Sequence, residues 1–147
     1  MSQVSYDDSA WPILVITMPD QELIGAEMLE HIDHMSAFTR RGIPYVKIID
    51  VRVSPSLSAQ SRRIAAERLD QDDEAYPGVL LGVGIVLATS LHRGIFKAMT
   101  WLSRSTRPFE AFMTVEEAVT WARRLSLAPA RSMTLPVATD VTNKRVG

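Results

Sequence analysis

The order of elements predicts one α/β domain, with a mostly parallel central sheet, an antiparallel hairpin at its N-terminal edge and about four helices. Three observations carry this. Two apolar runs, Tyr45 to Val53 and Val79 to Ala88, have the continuous β-branched character of strands covered on both faces. Amphipathic helical patterns alternate with the strand patterns, as crossover connections between parallel strands require. The chain has 147 residues, 46% of them hydrophobic, enough for one domain with a real core.

The elements follow in order. Val4 to Tyr6 and Pro12 to Met18 read as the two strands of a hairpin, with the turn formers Asp7, Asp8, Ser9 and Ala10 between them. Asp20 is a suitable N-cap for a helix running to Arg41. Ile24, Met28, Ile32, Met35 and Phe38 form its apolar stripe and Gly42 its stop signal. Tyr45 to Val53 is a central strand. Ser58 can cap a second helix with Ser61, Ile64, Ala65 and Leu69 on one side and Arg62, Arg63, Glu67 and Arg68 on the other. That helix is expected to dissolve in the acidic run from Asp70 and to stop near Pro77. Val79 to Ala88 supplies another central strand, and Thr89 and Ser90 offer caps for a helix from Leu91 to about Ser103. Arg107 to Met113 gives the last strand. Thr114 then caps Val115 to Leu125, where Glu116 and Glu117 open the helix and Arg123 and Arg124 close it in accord with its dipole. Residues 1–127 are thus expected to form the domain, and 128–147, with two prolines and no sustained period, a flexible tail.

Composition narrows the function classes. A net charge of −1 gives no global field that would draw the chain to nucleic acid or an anionic membrane. The absence of cysteine excludes disulfides and thiolate metal sites, and it favours the cytoplasm over a secreted location. The N-terminus lacks a signal-peptide pattern, and no apolar stretch is long enough for a bilayer, so no integral membrane association is expected.

Four clusters could carry chemistry. Glu27 with His31, or Glu30 with His34, stand four residues apart and could share a metal, although a solvated helix face explains them as well and no metal is expected. Gly78, Gly82 and Gly84 invite comparison with a phosphate loop, but they match neither the phosphate-loop nor the dinucleotide signature. Close approach of a helix to the strand accounts for them, and no cofactor is expected. In the turn from Ser54 to Ser58, Ser56 or Ser58 is either a helix cap or a phosphorylation site whose phosphate could pair with Arg62 or Arg63. In the helix after Ser90, Phe96, Met99 and Trp101 extend the apolar surface far around the cylinder. Either a partner, such as a second copy, or the C-terminal segment would cover them. Ser90 and Arg93 at its start could hold an anion. A hydrolase built from Asp50, a turn serine and His92 has only strand-end placement in its favour.

Several patterns in this order resemble the STAS superfamily of sulphate transporters and anti-sigma-factor antagonists, and more closely its small bacterial STAS-like proteins. They are Trp11-Pro-Ile-Leu-Val-Ile after an acidic turn, Ile48-Ile-Asp-Val-Arg, the Ser-Ala-Gln-Ser-Arg-Arg helix start, Arg93-Gly-Ile with Trp101-Leu, and Pro108-Phe-Glu-Ala-Phe followed by Glu116-Glu-Ala-Val-Thr-Trp-Ala. The resemblance covers about residues 3 to 127. It implies a non-enzymatic regulatory protein that binds a partner protein, often under phosphorylation control. The antagonists carry the switch serine in an Asp-Ser-Ser-Gly-like turn. Here Val53-Ser-Pro-Ser-Leu-Ser-Ala keeps serines, candidates Ser56 and Ser58, but lacks the aspartate and the glycine. The residues themselves suggest Arg62, Arg63, Phe96, Met99 and Trp101 as the partner surface, with a homodimer as one form. A small apolar-ligand or lipid-binding module, with the ligand against the helix from Leu91 to Leu102, is the alternative.

Overall fold

The computed structural model describes residues 3–55, 57–89 and 107–127. Strand β1, Ser5–Ala10, pairs antiparallel with β2, Ile13–Thr17. Helix α1, Ala26–Thr39, leads to β3, Tyr45–Asp50, and helix α2, Ala59–Ala75, leads to β4, Leu80–Val86. Strand β5, Phe109–Phe112, precedes α3, helical over residues 115–127. The strands lie in the order β1-β2-β3-β4-β5, and every pair after the first is parallel. The predicted α/β class and mixed sheet are therefore observed.

Strand pleating sorts the core onto two faces. On one face Leu14, Ile16, Tyr45, Leu80 and Val83 pack with Met28, Ile32 and Phe38 of α1 and with Ile64, Ala65 and Leu69 of α2. On the other, Ile13, Val46, Ile48 and Val86 pack with Ala118 and Ala122 of α3, joined by Trp121 and Leu125. Each fully buried Leu, Ile or Val contributes about 1.5–3 kcal/mol of burial energy. β3 lies between two parallel neighbours, and Tyr45 to Ile48 are all buried, so the continuous apolar run does mark the centre of the sheet.

The glycines of β4 are explained by α3. A Cβ on Gly84 would stand 3.3 Å from both Phe112 and Trp121. One on Gly82 would collide with Leu125 and stand 3.3 Å from the Pro108 carbonyl oxygen. Helix approach, rather than phosphate binding, accounts for them.

Several predicted boundaries need correction. Asp7 to Ala10 do not form the hairpin turn; they continue β1 as an exposed edge with an irregularity between Asp7 and Ala10, and the chain reverses at Trp11-Pro12. Polar residues are as compatible with a solvent-facing edge as with a turn, and Asp7 there accepts a 2.9 Å hydrogen bond from the Ser9 amide. Helix α1 starts at Ala26, not after Asp20, because Gly25 adopts φ +57° and breaks the preceding chain. Ile24 consequently lies outside the stripe and is 65% exposed, while Leu23 is buried. Strand β3 ends at Asp50, three residues short of Val53, where Arg52 turns back onto the aspartate. α2 does not dissolve at Asp70 but continues to Ala75, since Asp72 and Asp73 have partners: Ser36 donates to Asp72 at 2.7 Å, and Arg107 pairs with Asp73. The expected helix from Leu91 and the tail 128–147 lie outside the described residues. Among the described residues no helix is long and apolar enough to cross a membrane.

Candidate functional site at the carboxyl end of the sheet

The parallel strands deliver their following loops to one end of the sheet, where α/β proteins meet ligands and partners. Asp50 closes β3 with a buried side chain. Burial alone would raise its carboxyl pKa, but hydrogen bonds from the Arg52 side chain and amide outweigh this and hold it below the usual carboxylate value. The contact is bidentate: Arg52 Nε donates to Oδ1 at 3.0 Å and Nη2 to Oδ2 at 2.8 Å, while the Arg52 amide donates to Oδ1 at 3.1 Å. Such an aspartate is an anchor for the loop. In the hydrolase reading it would need a free face, and His92 lies outside the described residues.

Beyond this anchor the serine turn runs into α2. Ser58 is the N-cap, its Oγ accepting from the Ser61 amide at 3.1 Å, so the capping role predicted for it is present. Its own amide donates to Glu22 Oε2 at 3.2 Å, tying the loop after β2 to the start of α2. Arg62 Nη1 donates to the Leu57 carbonyl at 2.7 Å, which folds this guanidinium over the turn, while Arg63 is exposed. At the start of α3, Thr114 Oγ1 accepts from the Glu117 amide at 3.2 Å and donates to the Glu117 carboxylate at 3.1 Å, so the predicted cap is also present. Three large apolar side chains emerge in the same loops: Ile24 after β2, Val53 after β3 at 64% exposure, and Met113 after β5.

Of the residues singled out from sequence, Ser58, Arg62 and Arg63 are thus brought to one helix terminus. Ser56, Ser90, Arg93, Phe96, Met99 and Trp101 lie outside the described residues, as does the stretch from Leu91 to Leu102 invoked for an apolar ligand. Of the paired acidic and histidine residues of α1, the two histidines contact aromatic side chains. His31 is buried and its Nδ1 lies 2.6 Å from the Tyr6 hydroxyl, and His34 stacks between Tyr6 and Phe38. Among the described residues no three His, Asp or Glu side chains are grouped to hold a metal. Burial, with smaller contributions from Lys47 and His34, lowers the His31 pKa to about 4, and burial raises that of Tyr6 to about 12.

Sequence reasoning missed a buried polar cluster under α1 and α2. Lys47, on the central strand, is 8% exposed and lines a cavity of about 30 Å³ with Met35, Ser36, Arg68 and Asp72. Arg68 Nη1 donates to Asp33 at 2.7 Å and to Ser36 Oγ at 3.3 Å. Burial, then the neighbouring Arg107, lowers the Lys47 pKa to about 8 against the opposing pull of Asp72 and Asp73. The signal was available: a lysine inside a strand covered on both faces has nowhere to place its ammonium except the interior. The cavity accommodates a water-sized group, well below the few hundred Å³ of small-molecule sites.

No family model and no curated protein matches the sequence. Among solved structures, the chain is similar to an uncharacterised protein of the DUF3478 family from Shewanella loihica, described as having a SpoIIAA-like fold. Identity is 16% and the TM-score 0.59, over 83% of this chain and 98% of that one. An anti-sigma factor antagonist from Mycobacterium paratuberculosis aligns with 12% identity and a TM-score of 0.49, over 82% of this chain and 93% of that one. The first likeness gives the domain a SpoIIAA-like, STAS-type fold.

Proposed function

We propose that this chain is a non-catalytic regulatory or adaptor protein that binds a partner protein through the carboxyl end of its sheet. The observation that carries the proposal is the exposure of Ile24, Val53 and Met113 in three loops at that end, where the N-terminal part of α2 also carries the exposed Arg62 and Arg63. Exposed apolar side chains and arginines at the same end of a sheet have the composition of a protein contact surface. Phe96, Met99 and Trp101 would extend this surface, and a second copy of the chain is one candidate for what covers it. Asp50, held in a bidentate pair, gives the loop a firm base rather than a reactive group.

Affinity capture from cell lysate tests the reading with the wild type and a Val53→Asp, Met113→Asp variant. The expected result is a protein retained by the wild type and lost by a variant of unchanged circular dichroism. Identical capture profiles would remove the surface from consideration. Light-scattering mass of the same two proteins, together with Phe96→Asp and Trp101→Asp, tests the homodimer. Regulation by phosphorylation predicts that Ser56→Glu or Ser58→Glu changes partner affinity in a folded protein. At Ser58 the added negative charge would face Glu22, so it is expected to loosen the tie between the two loops.

A further inference from the structure

The Lys47 ammonium has an unusual neighbour. Among the described residues the one hydrogen-bond acceptor within its reach is the thioether sulfur of Met35, at 3.9 Å, and a thioether is a weak acceptor. Asp72, the carboxylate on the same cavity, accepts from Ser36 Oγ at 2.7 Å and makes no hydrogen bond with Lys47, while Arg68, which donates to Asp33 and Ser36, has no acceptor to offer. A buried cation without a strong acceptor is destabilising. Met35 and Lys47 both line the cavity of about 30 Å³, which is large enough for one more small atom. Met35 is half-buried, in contrast to Met18 and Met28, which are sealed in the core.

We propose that Met35 is a site of reversible oxidation by peroxide, and that Lys47 captures the sulfoxide oxygen in a charge-assisted hydrogen bond. In the step a sulfur lone pair attacks one oxygen of hydrogen peroxide. The S–O bond forms as the O–O bond breaks, and the departing hydroxide takes up the remaining proton as water. The sulfur loses two electrons and the peroxide is reduced. Oxidation converts a weak acceptor into a strong polar one. In an ordinary core this disrupts packing; here the new oxygen meets an ammonium that lacks such a partner. The modification therefore strengthens the join between α1 and β3, and methionine sulfoxide reductases would reverse it.

The test treats the full-length wild type, Met35→Leu and Lys47→Leu proteins with dilute hydrogen peroxide, followed by peptide mass mapping and thermal unfolding. Met35 is expected to gain one oxygen while the protein remains folded. The oxidation-induced change in Tm should be more positive in the wild type than in Met35→Leu, by about 3 °C. Because Met35→Leu retains the other six methionines, that difference isolates Met35 from side reactions at residues such as the exposed Met113. In Lys47→Leu the same oxidation should lower Tm. Reduction of the oxidised wild type with methionine sulfoxide reductase should return the original value. The proposal is overturned if Met113 oxidises and Met35 does not. It is equally overturned if oxidation of Met35 lowers the Tm of wild type and Lys47→Leu alike.

Discussion

Replacing Lys47 by leucine is expected to stabilise this protein, although the residue lies at the centre of the sheet. The Lys47 pKa moves from 10.5 to about 8 on folding, with burial as the largest cause. At about 1.4 kcal/mol per pKa unit, keeping the ammonium charged in the folded state costs about 3 kcal/mol. Asp72 and Asp73 already offset part of the burial in that figure, and neither is left without a partner by the substitution: Asp72 keeps Ser36 and Asp73 keeps Arg107. Leucine fills less length than lysine, so imperfect packing reduces the gain to about 1–3 kcal/mol. The sign with pH follows from linkage. Below pH 8 both folded and unfolded lysine are protonated and the full penalty is present. Between about pH 8 and 10.5 the folded protein releases the proton first, wild-type stability rises relative to the variant, and above that window the gap closes. Urea unfolding followed by circular dichroism at pH 7, 8, 9, 10 and 10.5 measures this. A leucine variant less stable than the wild type at pH 7, or a gap that does not narrow across the window, would refute the reasoning and show that the ammonium is compensated in the folded state.

Other perturbations have equally definite signs. The folded His31 resists protonation down to about pH 4, whereas the unfolded imidazole takes up its proton near 6.5. Stability should fall as pH drops through that window, by at most about 3 kcal/mol, and His31→Leu should flatten the urea-midpoint profile there. Gly82→Val places side-chain atoms against Leu125, Trp121 and the Pro108 carbonyl, and should lower stability by about 2 kcal/mol in chemical denaturation; a neutral result would mean that α3 does not pack so closely on β4. Asp50→Asn removes the bidentate acceptor of the half-exposed Arg52 and should lower stability by about 1–2 kcal/mol at pH 7. Because the folded Asp50 pKa lies below its ordinary value, this difference is present above that value and is lost as pH falls through the folded pKa, which an acid titration of both proteins would display.

The alternation of strand and helix patterns, the central position of β3 and the caps at Ser58 and Thr114 were all legible from the chain, because they depend on residue type and local spacing. Boundaries were less so where local signals compete. Asp7 to Ala10 satisfy a turn and an exposed edge equally well, and pairing with β2 decided for the edge. Asp20 marks a possible helix start, and the backbone at Gly25, with φ +57°, moved the observed start to Ala26. The acidic stretch of α2 looked like a helix end because its partners, Ser36 and Arg107, lie more than thirty residues away.

The same distinction separates the two candidate regions. The serine turn and its cap are contiguous in sequence, so the residues themselves specified a helix terminus with Arg62 and Arg63 beside it. The apolar rim of Ile24, Val53 and Met113 joins loops after three different strands, and parallel pairing alone brings them to one end. Lys47 is the sharpest case. By sequence its strand reads as covered on both faces, which signals a buried ammonium but not its neighbours. Only the packing of α1 and α2 over β3 decides what surrounds that ammonium and places the Met35 sulfur against it. Hydropathy and capping act between neighbours along the chain and can be read there. The partner of a buried charge is set by which elements cross above it, and that is a property of the assembled layers.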